Sequence, residues 1–502
     1  MVRKKSKNIF LINVASVFII QILIKIVGML YNVFLTNNKQ YSDLGNGIFL
    51  SAHQIYILFL SVSIVGIPVS ISKIISERSR NSVDVEKIIN ISLMFWGIIG
   101  VIESVLLILI SNYIANNVLE NKIIEDILKI LSVGIVFVNF NSVYRGALNG
   151  IEKTSIGTMI QFIEQLIKVG FIIIGIYWLK IYSNETRENI IYIVSWGVTF
   201  SVIVTFGIYR NKWKKFKNNI IENSNIRYKE ILKNVLFLSI PVTILGIFGS
   251  INKNIDSISI MKILSPIIGV EGVSQGYGII ASKVDVLINL PIGLNSAITV
   301  SLLPRISKLY KENKLNLVKD DLITSMYMSL LIAIPFMFIY VFFSENILQV
   351  LYPNANEGVE LLKIGSVLIV LNVVIQILMV FYNAIGKTNI VIKSFMIGSI
   401  LKLILNLVFL NIKGILERGI LLSSIISDIL IIILLVINKK FKILNIKLKE
   451  LKILNIICNS SMMIFISACI IFILKVNNLY NKFLFVISLR NRGICIFLSD
   501  FW

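Results

Sequence analysis

Charge is scarce in this chain, and cysteine scarcer. Only 15% of its 502 residues are Asp, Glu, Lys or Arg, where a soluble globular domain carries about a quarter. That shortage excludes an ordinary water-solvated surface. The three cysteines, Cys458, Cys469 and Cys495, crowd toward the C-terminal end without metal-ligand spacing, and they read as apolar filling. No nucleophile-base pair, metal-ligand cluster or carboxylate dyad sits in an aqueous loop, so nothing marks an enzyme site. No connection is long enough to form a folded extramembrane domain, and the period-2 alternation of a membrane barrel is missing.

What is present is hydrocarbon. Hydrophobic residues make up 56% of the chain and the mean hydropathy is +0.85. About 13 segments of 20 or more mostly apolar residues start near Ile9, Gly47, Ile89, Ile127, Thr154, Ile190, Ile231, Gly276, Leu322, Leu361, Ile390, Gly414 and Ile453, each long enough to cross a hydrocarbon core of about 30 Å. Without water to satisfy backbone N–H and C=O groups they must be helices. The fold class is an all-α integral membrane protein of 13 to 14 transmembrane helices. The first segment, after Arg3-Lys4-Lys5-Ser6-Lys7, runs too long for a cleaved signal and is expected to stay as an anchor.

The chain repeats itself coarsely. Ile71-Ser72-Lys73 recurs as Ile306-Ser307-Lys308, and Lys153-Thr154 as Lys387-Thr388, at an offset of about 235 residues. This predicts an N-lobe of six helices over 1–209, a basic linker over 210–233, a C-lobe of six helices over 234–437, and C-terminal helices over 438–502. With an even number of helices per repeat, the lobes should be related by an axis along the membrane normal. Arg490-Asn491-Arg492 interrupts what would be the last span, which points to a truncated or altered terminus, since such charges are costly in a bilayer.

Basic residues set the orientation. About 30 Lys and Arg fall on the side of the N-terminus and about 9 on the other, so the N-terminus is expected to be cytoplasmic and the protein to lie in the cytoplasmic membrane. The same bias accounts for a net charge of +22 through contact with anionic lipid headgroups, without nucleic acid as a partner.

Function must be sought among polar residues that a bilayer should exclude. Gln21, Lys25, Gly28 and Asn32 share one face of the first helix, and Gln161, Glu164, Gln165 and Lys168 share one face of the fifth. Glu164 and Lys168 stand one turn apart and are able to pair. Asp285 and Asn289 follow each other by one turn on the eighth helix, and Asn372, Gln376, Lys402 and Asn406 mark the tenth and eleventh. An isolated Lys at the bilayer centre costs roughly 2.5 to 3.5 kcal/mol, so these stripes must face one another or water. Interhelical hydrogen bonding accounts for Asn372, Gln376 and Asn406 and for His53, and equally for the Glu164 and Lys168 pair. Lys25 has no acid on its own helix and is expected to line a cavity. Arg145, Lys73 and Arg305 sit at helix ends, where snorkelling is the default. Gly386-Lys387-Thr388 resembles the end of a phosphate-binding loop, but Phe381 stands where that motif needs its first glycine and no strand precedes it.

The run Gly66-Ile67-Pro68-Val69-Ser70-Ile71-Ser72-Lys73-Ile74-Ile75-Ser76-Glu77 resembles the second-helix ending of the stage V sporulation protein B group, within the multidrug, oligosaccharidyl-lipid and polysaccharide exporter superfamily. Tyr144-Arg145-Gly146, Gly150 and Ile163-Glu164-Gln165 resemble that group's fourth and fifth helices, and Asn289-Leu290-Pro291 with Ser301-Leu302-Leu303-Pro304-Arg305-Ile306-Ser307 its eighth. The resemblance implies two six-helix lobes with a terminal pair around a central cavity that moves an undecaprenyl-pyrophosphate-linked oligosaccharide or peptidoglycan precursor. It further implies that Lys25 supplies a cavity cation. Asn32 and Val286 stand where relatives carry further basic residues.

The expected function is therefore a flippase working by alternating access, not an enzyme, without metal or cofactor and acting as a monomer. Its candidate binding residues are Lys25, Asn32, Arg145, Glu164, Lys168, Asp285 and Asn289. The anionic pyrophosphate would pair with Lys25 and with Arg145 or Lys168. The main alternative is a multidrug exporter of the same superfamily, which would favour carboxylates over the first-helix lysine. An integral-membrane glycosyltransferase stands third.

Overall fold

The computed structural model describes residues 2–78, 82–183, 185–216, 228–352, 357–412, 414–442 and 455–462. The expected last span and the Arg490-Asn491-Arg492 interruption, with Cys469 and Cys495, lie outside the described residues. Every regular element among the described residues is a helix, as a lone chain segment in hydrocarbon requires. After α1 (Val2–Thr36) comes α2 (Ser42–Ser61), which passes through a π-helical segment (Val62–Gly66) into α3 (Ile67–Arg78). Next are α4 (Ser82–Tyr113) with a second π-helical segment (Ile114–Val118), α5 (Ile123–Gly150), α6 (Thr154–Tyr182) and α7 (Arg187–Phe216). The following α8 (Tyr228–Gly278) runs through a third π-helical segment (Ile279–Val284) into α9 (Asp285–Lys311). Then come α10 (Leu315–Leu351), α11 (Val359–Gly365), α12 (Val367–Ala384), α13 (Thr388–Phe409), α14 (Arg418–Ile437) and α15 (Lys439–Lys442). Residues 455–462 are also helical.

Ten helices among the described residues are long and apolar enough to cross a membrane, and the chain is a multi-pass, all-α membrane protein. α5 is not among the ten; its Asn139 and Asn141 are buried against protein. The seventh and eighth predicted segments have no loop between them. They join within α8 at Gly269, whose φ of 77° breaks the helix in a backbone region that glycine alone enters freely. Gly386 likewise takes a φ of +71° in the turn between α12 and α13, so Gly386-Lys387-Thr388 is turn chemistry and not a phosphate loop.

Packing divides the described residues into two compact units, one up to Gly278 and one from Ile279 on. In the first, α5 is the central post, packed by α2, α3, α4 and α7. Between membrane helices there is no water to expel, so close approach through small residues does the work. Gly146 and Gly150, one turn apart on α5, meet the backbone of Pro68 and Ser72 on α3, where an added Cβ would lie 3.0 Å from either. Ile67, Ile71, Ile75, Val143 and Ala147 fill the seam. On the other side of α4, Ile98, Val101, Ile102, Val105 and Leu109 are exposed and face lipid. α2 and α8 touch at Gly47, where a Cβ would fall 1.7 Å from the Ser274 carbonyl oxygen.

In the second unit, α9 packs on α10 and α12, and α13 on α14. Its core is tied by polar side chains: Asn295 donates to Gln376 at 2.8 Å, Ser329 donates to Asn295 at 2.6 Å, and Asn372 donates to Asp428 at 3.1 Å. Ser423 donates to Asn406. Asn372, Gln376 and Asn406 thus serve as interhelical ties.

Candidate functional site

Two of the cavities among the described residues differ in chemistry. One, of about 560 Å³ in the second unit, is lined by apolar side chains alone, among them Leu330, Phe338, Val374 and Val436, and offers nothing to hold a charged group. The other, of about 330 Å³ in the first unit, sets charged and amide side chains among apolar ones such as Ile57, Leu60 and Val198. α6 contributes Gln161, Glu164, Gln165 and Lys168, which a helix places in one stripe through i, i+3, i+4 and i+7 spacing. α5 adds Asn141 and Arg145 one turn apart, α2 adds His53 and Tyr56, α7 adds Ser201 and Tyr209, and Ile64 of the first π-helical segment closes one wall.

Each charged group in this cavity is held by a neutral partner. Glu164 Oε2 accepts from the Thr205 hydroxyl at 3.1 Å, and Asn141 Nδ2 donates to that same hydroxyl at 3.1 Å. The Lys168 ammonium lies over the Tyr31 ring of α1, 5.3 Å from its centroid. The Arg145 guanidinium donates to the Ile64 carbonyl. The one-turn Glu164 and Lys168 pair does not close, because the lysine reaches across to α1 instead. His53 stacks on Phe49 at 5.3 Å between centroids, and Tyr209 donates to the Gly157 carbonyl at 3.1 Å.

Of the seven candidate residues, the structure brings Arg145, Glu164 and Lys168 together. Lys25 and Asn32 lie on α1, which packs along α6: Gly28 on their face sits where an added Cβ would be 3.3 Å from Gln165 Nε2. Lys25 is exposed midway along the Ser16–Thr36 span and does not line the cavity. Asp285 and Asn289 belong to the second unit, where Asn289 donates back to the Asp285 carbonyl at 2.7 Å. Arg145 does not snorkel past its helix end: it lines the cavity and donates to the Ile64 carbonyl. Tyr31, Asn141, Thr205 and Tyr209 escaped sequence reasoning. The one available signal was spacing, since Asn141 precedes Arg145 and Thr205 precedes Tyr209 by one turn each. Among the described residues no cluster of three or more His, Cys, Asp or Glu is placed to hold a metal, and Cys458 is an exposed free thiol.

Residues 10–310 match the family model described as polysaccharide biosynthesis protein, and residues 235–408 match the MatE model. The lipid II flippase MurJ of Bacillus subtilis (strain 168) is 22% identical over 412 residues, which cover 76% of this chain and 74% of that one. Stage V sporulation protein B of the same organism is 23% identical over 325 residues, covering 63% and 62%. The solved structure of lipid II flippase MurJ in an inward closed conformation superposes with a TM-score of 0.73 at 18% identity, over 96% of this chain and 98% of that one. An inward-facing multidrug resistance MATE family transporter gives 0.66 at 14% identity, over 88% and 98%. These two structural likenesses carry the fold. The chain belongs to the polysaccharide biosynthesis protein family of the multidrug, oligosaccharidyl-lipid and polysaccharide exporter superfamily, like stage V sporulation protein B and related to MurJ.

Proposed function

We propose that the protein flips an undecaprenyl-pyrophosphate-linked oligosaccharide or peptidoglycan precursor across the cytoplasmic membrane, with the N-terminus in the cytoplasm. The observation that carries this reading is the cavity in which Arg145 donates to a backbone carbonyl and Lys168 lies over a ring, neither closing an ion pair with Glu164. A buried cation whose nearest acid stands beyond ion-pair distance keeps part of its attraction for an anion that enters. Two cations face a single acid, Glu164, so the entering group is an anion. Lys25 fits the same reading. A lysine midway along a membrane span cannot rest against lipid without cost, and its face of α1 would line the water-filled route by which the headgroup arrives.

Transport runs by alternating access of the lobes 1–209 and 234–437. The pyrophosphate exchanges the neutral partners of Arg145 and Lys168 for its own oxygens, while the prenyl chain stays in lipid. Asp285 and Asn289, distant in sequence and in the other unit, would act on the cargo in a later state of the cycle. The basic loops rest on anionic headgroups, and a single copy completes the cycle.

The experiment is flipping of defined lipid-linked sugars in proteoliposomes. Wild-type protein should translocate a pyrophosphate-linked sugar, and Arg145→Ala with Lys168→Ala should not. Translocation at the wild-type rate by that double variant would end the reading. The presence of Glu164 in the same cavity favours one rival, export of an organic cation. Drug resistance on overexpression with no flipping of lipid-linked sugars would select it.

A further inference from the structure

The π-helical segment Val62–Gly66 sits just before Pro68. In a regular helix the carbonyl of Ile64 would accept from the amide four residues on, which is position 68, and proline has no N–H to give. A backbone carbonyl without a partner is especially costly inside a membrane. Arg145, from α5, supplies the missing donor through its guanidinium. The side chain that faces the anion-binding cavity is thus also the side chain that completes the backbone of a neighbouring helix.

The same short segment is tied on its other sides. Ser63 donates to Asn139 Oδ1 at 2.9 Å, and Asn139 Nδ2 donates in turn to Glu103 of α4 at 3.1 Å. Gly66 lies so close to α8 that an added Cβ would be 1.9 Å from Thr243 Oγ1. π-helical turns are strained relative to the α-helix and recur at functional sites. This one joins α2 to α3, touches α8, and depends for one carbonyl on a cavity residue.

We infer that Pro68 and Arg145 form a ligand-operated latch, in which an anion entering the cavity draws the guanidinium off the Ile64 carbonyl and so loosens the Val62–Gly66 segment against α8. The inference rests on the reading that an anionic group enters this cavity, and it assigns to that event a structural consequence. Phosphate oxygens are the stronger acceptors for a guanidinium, because both partners are then charged and two N–H groups can be used at once. The carbonyl left behind has no amide at the α-helical position to turn to, since that position is Pro68. Occupancy of the cavity is thereby reported to the helix that belongs to the other predicted lobe. Arg145 is in this respect a positioning residue as well as a ligand.

The test is hydrogen–deuterium exchange over residues 60–72 of the full-length protein in detergent, with and without inorganic pyrophosphate, alongside a direct titration of pyrophosphate binding. Wild-type protein should exchange slowly when empty and about tenfold faster with pyrophosphate, the factor expected for loss of one charge-assisted hydrogen bond. Arg145→Met should exchange fast without ligand and show no further change. Pro68→Ala restores the backbone donor and is a better helix former, so it is expected to fold. It should exchange slowly with or without ligand, yet bind pyrophosphate at least as tightly as wild type, because Arg145 no longer has a carbonyl to leave. An empty-state exchange rate in Arg145→Met equal to wild type, or a pyrophosphate response in Pro68→Ala equal to wild type, would overturn the latch. Pyrophosphate binding to wild type with no change over 60–72 would overturn the latch alone. No binding at all would remove the anionic reading and the latch together.

Discussion

The Lys168 ammonium lies 5.3 Å from the centroid of the Tyr31 ring, and a contact of that kind stabilises by about 0.5 to 2 kcal/mol. A hydrogen bond to a charged phosphate oxygen contributes about 1.5 to 3 kcal/mol, so an anion competes successfully for the lysine. Two substitutions should then move affinity in opposite directions. Lys168→Ala should weaken binding of a pyrophosphate-linked sugar by about tenfold to a hundredfold. Tyr31→Leu, which removes the competitor, should tighten it by about twofold to thirtyfold. Titration of the ligand against purified protein checks both, and tighter binding in Lys168→Ala would contradict the assignment. The four-residue stripe on α6 could be read directly in the sequence because helical spacing alone creates it. The partners of its charges could not. Lys168 and Glu164 are one turn apart and look like a pair, but the lysine crosses to α1 and the acid turns to Thr205. Arg145 is five residues from a helix end, which suggests snorkelling. Its true partner is determined by a proline on another helix.

Glycine governs how the helices approach. At Gly150 an added Cβ would lie 2.7 Å from the Ile75 Cβ, and at Gly170 there is nothing within 4 Å. Gly150→Val should therefore destabilise the protein by about 1 to 3 kcal/mol through overpacking of α5 on α3. Gly170→Ala, in the open middle of α6, should be neutral or stabilise by up to about 1 kcal/mol through helix propensity. Thermal melts of the two variants in detergent would check the pair, and equal shifts in the same direction would show that glycine acts here through propensity alone. Gly146 and Gly150 stand out in the sequence as part of a family resemblance, though the surface they fit, Pro68 to Ile75 of α3, comes only with the fold. Hydropathy gave good positions for most of the described helices but did not show how two of them join. The seventh and eighth segments meet at a single residue, Gly269, because one positive φ bends the chain without any polar loop to announce it. The π-helical segments are equally silent in hydropathy, since they keep the same apolar side chains and change only the hydrogen-bond register.

For the whole molecule, the sidedness of Lys and Arg and the sign of the cavity together predict how a membrane potential acts. The empty cavity sets two basic side chains, Arg145 and Lys168, against one acidic side chain, Glu164, a formal charge of one positive unit, and the proposed cargo is anionic. A potential negative on the cytoplasmic side pushes an anion outward, and it also draws an empty, positively charged cavity back toward the inward-open state. Both half-cycles are thus favoured by the same sign of potential. The gain is bounded by about 2.3 kcal/mol per charge per 100 mV, which caps the acceleration at about fiftyfold per charge moved at 100 mV. Proteoliposomes with a potassium gradient and valinomycin should flip a pyrophosphate-linked sugar faster when the side holding the basic loops is negative, and slower when the gradient is reversed. Lys168→Gln should reduce the response, because it removes charge from the returning cavity while leaving the cargo unchanged. A rate indifferent to either polarity would mean that the cargo crosses with a neutralising cation. The mechanism would then need a coupled ion in place of the fixed charges of Arg145 and Lys168.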